Sequence, residues 1–336
     1  MPRPLAIALA VALLACSALG QGVVVGPPIV GGPTQIAVPG ARLEVIYTPD
    51  GVSNGAQEMA IWLPTSPPPE NGYPIVVLFP GGGWRDPGPL PENPGGVLRR
   101  FRDRGIAAAF ARYSHTELFP VGAQFPQAER DTQAVVQHLR FNAAQYRIDP
   151  EQIVLSGRSA GGHGVQAAAM WPDAADTRFV DQRRESSKPL AVILNSVGAT
   201  HVPALKQGLQ TGISPYLGTN FVLGSVPVER QLEMSPTHWL TKYPGEVGAI
   251  PFQIFGSPRP LDQRLGQPYV LDVLDHNHNP WNSVQLALEL YQVGGVHRVL
   301  SEFVDVQATA LSVDERQLRQ VAWVGFVLQL QRQGVL

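Results

Sequence analysis

The residues Gly157-Arg158-Ser159-Ala160-Gly161 set a hydroxyl between two glycines, each two positions away. They follow the β-type run Gln152 to Leu155 directly and precede an alanine-rich stretch ending near Met170. A strand that turns sharply into a helix forces its corner residue into a strained backbone, and a side chain at either flank would clash. Glycines remove the clash and leave Ser159 pointing outward, the arrangement of a nucleophile elbow. Chance can supply the bare pentapeptide, so its weight comes from the strand before it and the helix after it. A second cluster lies upstream, in "IVVLFPGGGWRDPG". There Gly81, Gly82 and Gly83 follow another β-type run, and they let the chain pass close to a ligand with its N–H donors bare, as stabilisation of a developing oxyanion requires. A phosphate cradle fits less well, because neither G-x-x-x-x-G-K-[ST] nor G-x-G-x-x-G follows.

Both clusters need a sheet to hold them. The pattern predicts strands over 43–48, 58–63, 75–79, 106–112, 152–155, 190–195, 251–255 and 299–304, and helices over 95–104, 126–144, 162–170, 281–293 and 313–332. The last helix opens on a capping box, Ser312 with Glu315 three residues on. Strands alternating with helices of this length imply an α/β fold, a mostly parallel sheet covered on both faces. The first two strands have no helix between them, which suggests an antiparallel edge. No internal repeat is present, which argues against a solenoid or propeller. The segment 201–244 breaks the rhythm and is the candidate cap over the sheet's C-terminal edge.

With 336 residues, 44% hydrophobic content and a formal charge of -2, the chain is long enough for a sizeable core and has no basic excess to draw it to nucleic acid or an anionic membrane. A small or neutral substrate is expected instead. The first 20 residues carry Arg3, a short apolar run and small residues at Ala18 and Gly20, the layout of a signal peptide cleaved before Gln21. The apolar run is short for a membrane span. Export, to the periplasm or outside the cell, is therefore expected, with a lipid anchor at Cys16 as the alternative. Cys16 is the single cysteine, so neither a disulfide nor a thiolate metal site is expected. Residues 21–42 read as an irregular leader rich in Gly, Pro and Val, and 43–336 as one domain.

The order of the two clusters, a glycine loop after the third strand and a serine corner after the fifth, resembles the α/β-hydrolase superfamily. The resemblance is to its esterase/lipase and feruloyl-esterase-like group with H-G-G-G-W and G-x-S-A-G-G motifs. "YRIDPEQIVLSGRSAGGH" and "MSPTHWL" are similar to further stretches of that group, and the likeness runs from about residue 43 to the C-terminus. It implies a sheet of about eight strands, Ser159 as nucleophile, and an oxyanion hole from the N–H groups of Gly82, Gly83 and Ala160. Trp84 matches the group's tryptophan and reads equally as a packing residue. The histidine that usually precedes the glycines is here Pro80. The acid is expected after the seventh strand, where this chain has a long insertion. Asp275 stands at the usual distance before the next helix, with Asp262 and Asp272 as alternatives. The base is expected in the loop after the eighth strand, but 305–311, "DVQATAL", holds no histidine and none follows His297. His297 itself opens the eighth strand and belongs at the opposite end of the sheet. His115, His201, His276 and His278 sit in loops expected at the catalytic edge, and His278 with its neighbour His276 lies beside the proposed acid.

The resemblance implies hydrolysis of a carboxylic ester, with acyl or feruloyl groups on polysaccharides among the substrates. The alternative is a non-catalytic member of the fold that lost its base and binds a ligand or partner in the old cleft. No cofactor is expected. Asp275, His276 and His278 have metal-binding side chains, but their spacing is not a recognised ligand pattern. His163, directly after the corner, reads as structural.

Overall fold

The computed structural model describes residues 36–48, 56–116, 123–173, 185–195, 227–247, 250–255, 280–293, 302–304 and 312–336. Eight strands form one sheet: β1 (Arg42–Ile46), β2 (Glu58–Trp62), β3 (Tyr73–Phe79), β4 (Ala107–Ala111), β5 (Ile148–Arg158), β6 (Ala191–Asn195), β7 (Phe252–Phe255) and β8 (Glu302–Val304). Their order is β1-β2-β4-β3-β5-β6-β7-β8. β1 pairs with β2 and β2 with β4 antiparallel, and every other pair is parallel. The expected antiparallel edge is thus the β1-β2 hairpin, continued where β2 meets β4.

The described helices are α1 (Gly96–Arg102), α2 (Gln127–Phe141), α3 (Ala143–Tyr146), α4 (Ser159–Met170), α5 (Val228–Glu233), α6 (Pro236–Lys242), α7 (Pro280–Val293) and α8 (Val313–Arg332). The period-two alternation of the strands decides which face each covers. Ile75, Val77, Leu155, Val192 and Leu194 point into the larger core with α2 and α4, while Val76, Val154 and Ile193 join Phe101 of α1 and Val324 and Val327 of α8 on the other face. Central strands buried on both sides need continuous apolar runs, which "IVVLF" and "AVILN" supply. Small residues let α4 lie tight on its neighbours: Ala167, Ala168 and Ala169 are fully buried, and a side chain at Gly164 would run into Thr132 of α2.

Ser312 caps α8 through its hydroxyl, which accepts from the Glu315 N–H at 3.2 Å, while the Glu315 carboxylate accepts from the Ser312 backbone N–H at 2.8 Å. These hydrogen bonds from Ser312 hold the Glu315 carboxyl below its usual 4.5. The capping contribution is therefore complete above that value and fades as pH falls through the lowered one.

Three differences from the sequence expectation have local causes. β5 starts at Ile148, earlier than its apolar run, and its register against β3 shifts between Tyr73 and Ile75. The intervening Asp149-Pro150 pair accounts for the shift, since proline has no N–H for the ladder. α4 begins at Ser159, ahead of the expected 162, although glycine is a poor helix former, because the packing surface selects that stretch. Within 201–244, residues 227–244 are described and contain the unforeseen α5 and α6, too short to show a helical period. α6 packs against α4 and α7. Among the described residues no helix is long and apolar enough to cross a membrane. Residues 1–35, with the expected signal peptide and Cys16, lie outside the described residues.

Candidate active site

Chain order brings the two clusters together. After β3 the chain crosses to β4 on one side and returns to β5 on the other, so β3 and β5 are parallel neighbours where the winding reverses, the place where open α/β sheets bind ligands. Phe79 lies opposite Gly157 in their register. Two residues further on, Gly81 stands against Ser159, and a Cβ on Gly81 would lie 3.2 Å from the Ser159 Cβ. The glycine loop and the serine corner therefore meet at the C-terminal edge of the sheet.

The corner itself is strained. Ser159 has φ 50, in the left-handed region that non-glycine residues seldom occupy, and it is both the first residue of α4 and directly after β5. Its flanking glycines are required by space: a Cβ on Gly157 would come within 2.5 Å of the Gly162 Cα, and one on Gly161 would overlap the Phe79 and Pro80 carbonyl oxygens. Backbone atoms fixed in a sheet cannot yield. Gly161→Ala is accordingly expected to destabilise the fold by about 3 kcal/mol or more, in the range of severe overpacking. A thermal melt checks this, and a melting temperature equal to wild type would contradict the packing described.

The loop 80–84 is equally unusual. Gly82 has φ 150, Gly83 φ 60 and Trp84 φ 58. Among the described residues no heavy atom lies within 4 Å of the place a Gly83 Cβ would occupy. No acceptor among the described residues takes the N–H of Gly82 or Gly83. Ala160, second in α4, has its N–H at a helix start, where intrahelical partners are lacking and the helix dipole favours negative charge. The sequence-predicted Ser159, Ala160, Gly82 and Gly83 are thus gathered at one edge of the sheet.

Supporting contacts hold that edge. The Tyr113 hydroxyl donates to the Pro80 carbonyl at 2.9 Å, and burial first, then the charges of Glu129 and Asp86, push the phenol far above its usual range, so it stays a donor. The Thr116 N–H donates to the Trp84 carbonyl at 2.7 Å. Asp131, fully buried, accepts from the Ser114 N–H at 2.8 Å and from the side-chain amides of Gln57 and Gln127 at 3.1 and 2.9 Å. The segment Tyr113 to Thr116, which carries the buried His115, is thereby pinned along the glycine loop.

His163 is structural, as its sequence position suggests. Its Nδ1 meets Glu129 Oε1 at 2.7 Å and its Nε2 meets the Met234 carbonyl at 2.7 Å. A carbonyl only accepts, so Nε2 carries a hydrogen, and both ring nitrogens are committed. Trp84 and Trp239 flank the ring edge to face at 5.4 and 4.9 Å. Glu129 and Met234 were not foreseen as partners. An acidic residue on a helix gives no sign of being buried until its partner's position is known.

Asp275, Asp262, Asp272, His276, His278, His201 and His297 lie outside the described residues. Among the described residues no group of three or more His, Cys, Asp or Glu is arranged to hold a metal ion.

A family model described as BD-FAE matches residues 59–243, more than half of the chain and spanning the glycine loop, the serine corner and α6. The chain belongs to the BD-FAE family. This is an esterase family of the α/β-hydrolase type, so the chain is an esterase-type hydrolase by family. No curated protein matches the sequence. Solved structures share the fold. A thermophilic esterase from the Planctomycetes species Thermogutta terrifontis is 22% identical over 77% of this chain and 79% of its own, with a TM-score of 0.53. The esterase 2 of Thermogutta terrifontis phosphoramylated by tabun is 21% identical over 80% and 83%, with a TM-score of 0.55. A bifunctional GH43-CE protein of Bacteroides eggerthii is 18% identical over 87% of this chain, with a TM-score of 0.62, and the match spans 36% of that longer chain.

Proposed function

We propose that this BD-FAE family member is an exported serine esterase that cleaves carboxylic esters through a seryl intermediate, with acyl or feruloyl groups on polysaccharides as its substrate class. The reading rests on the approach of Gly81 to Ser159 at a corner with φ 50, which sets a hydroxyl beside bare backbone donors. Ser159 Oγ attacks the ester carbonyl while a base takes its proton. The carbonyl oxygen becomes an oxyanion facing the N–H groups of Gly82, Gly83 and Ala160, and collapse expels the alcohol, which regains the proton. Water then attacks the acyl-serine and releases the acid. Asp275 as acid and His278 or His276 as base, from the segment after β7, complete the proposal. Support for this placement is chain position, since β7 ends at the same sheet edge as β5. The export part of the proposal rests on the signal-peptide layout of the first 20 residues alone.

A fluorophosphonate probe tests the nucleophile without requiring the natural ester. Covalent labelling of Ser159, located by peptide mass, is expected. A protein that stays unlabelled would point to the non-catalytic alternative.

A further inference from the structure

Gly81, Gly82 and Gly83 have no side chains to fix them in place. Past Phe79 the ladder with β5 ends, so the placing of Gly82 and Gly83 against Ser159 depends on hydrogen bonds to the loop's own backbone. Pro80, the first residue beyond the ladder, has no N–H to donate, and its carbonyl is its one hydrogen-bonding group. That carbonyl accepts from the Tyr113 hydroxyl at 2.9 Å. Further along, the Gly82 carbonyl accepts from the Arg85 N–H at 2.9 Å and the Trp84 carbonyl from the Thr116 N–H at 2.7 Å. The loop is thus held by its carbonyls, while the N–H groups of Gly82 and Gly83 meet no acceptor among the described residues.

Pro80 is also where the loop meets the serine helix. A Cβ on Gly161 would overlap the Pro80 carbonyl oxygen, so this oxygen lies against the first turn of α4 and under the Tyr113 hydroxyl at once. Tyr113 is a firm anchor for it. Its side chain is packed in the larger core at 1% exposure, and the next residue, Ser114, donates its N–H to the fully buried Asp131 at 2.8 Å. Burial first, then the charges of Glu129 and Asp86, hold the phenol far above its usual range, which keeps the donor through neutral pH.

We infer that Tyr113 is a positioning residue for the proposed oxyanion hole, its hydroxyl setting the distance of the Gly82 and Gly83 N–H groups from Ser159 through the Pro80 carbonyl. This role rests on the proposed ester hydrolysis, and Tyr113 itself touches no substrate. Donors fixed in advance stabilise a developing oxyanion without reorganisation, so loosening them costs the transition state more than the bound ester. The signature is a fall in kcat without a matching rise in KM.

Steady-state hydrolysis of an aryl acetate by the full chain, together with inhibition by an aryl trifluoromethyl ketone, tests this role. The ketone oxygen becomes an oxyanion only when Ser159 Oγ adds to the carbonyl carbon, so its affinity reports on the hole. Tyr113→Phe removes the hydroxyl and keeps the ring. It is expected to lower kcat about tenfold, leave KM within about twofold and weaken the ketone about tenfold, the scale of a small displacement at a reacting centre. Tyr47→Phe is the control, because Tyr47 is also fully buried and its hydroxyl donates to the carbonyl of Arg112, one residue before Tyr113, at 3.1 Å. Both variants should melt lower by similar small amounts, and only Tyr113→Phe should change kcat and ketone affinity. Wild-type kcat and ketone affinity in Tyr113→Phe, a rise in KM alone, or an equal loss of kcat in Tyr47→Phe overturns the role of Tyr113, while turnover by the wild type leaves the esterase reading standing. A wild-type protein that neither hydrolyses the ester nor takes the fluorophosphonate on Ser159 overturns both.

Discussion

Ser159→Ala is expected to lower the turnover of an activated aryl ester by about four to six powers of ten, the range for removing the nucleophile of an acyl-transfer site. The physical reason is that alanine leaves the Gly82, Gly83 and Ala160 donors in place but gives them no covalent intermediate to stabilise. The fold should tolerate the change, because the hydroxyl stands at the corner and the strained φ of 50 belongs to the backbone. A steady-state assay with an aryl acetate, alongside a thermal melt, separates chemistry from stability. Residual turnover within tenfold of wild type, in a variant that melts normally, would remove Ser159 from its role. The base can be read in the same assay: His278→Ala or His276→Ala should slow turnover by about a hundredfold or more if that residue takes the serine proton. Equal rates in both variants and wild type would send the search to His115, which is buried in the segment bonded to the glycine loop.

The sheet and the serine corner were legible because each is dictated by local signals. Short continuous apolar runs rich in β-branched residues and bounded by turn residues suit strands buried on both faces, and Gly157 and Gly161 mark the corner because any side chain there meets backbone. The resemblance to the α/β-hydrolases was equally sound, since a glycine loop after β3 and a corner after β5 are brought together by strand order alone. What resisted reading was long-range and polar. Glu129 and Asp131 lie on a helix whose sequence, "QAERDTQAVVQHLRF", has charges where an amphipathic pattern would show its solvent face, yet both carboxylates are fully buried. Besides Gln127, one turn back on the same helix, their partners His163, Ser114 and Gln57 come from three other parts of the chain. No spacing rule connects such residues, because the fold, and not the local sequence, sets their separation. The short α5 and α6 escaped for the complementary reason, since six or seven residues show less than two helical turns of pattern.

The buried Glu129–His163 pair carries the second large expectation. The two side chains are 0% and 2% exposed, and His163 ties α4 to α2 through Glu129 and to the end of α5 through the Met234 carbonyl. Glu129→Ala removes one partner and leaves the other nitrogen facing a small cavity that has no acceptor from the lost side chain. Breaking a buried pair in this way costs about 3–5 kcal/mol, and for a chain of this size the melting temperature should fall by roughly 5–10 °C. Glu129→Gln keeps the shape and can still hydrogen-bond the ring, because the amide offers both a donor and an acceptor to Nδ1. Its loss should be less than half that of the alanine variant. The comparison also bears on the site, since His163 lies four residues after Ser159, one turn along α4, against Trp84 of the glycine loop. Loosening it should slow fluorophosphonate labelling of Ser159 in Glu129→Ala more than in Glu129→Gln, even at temperatures where both are folded. An alanine variant that melts with wild type would show that the pair is dispensable to the fold, and one that melts low but labels at full rate would confine its role to stability.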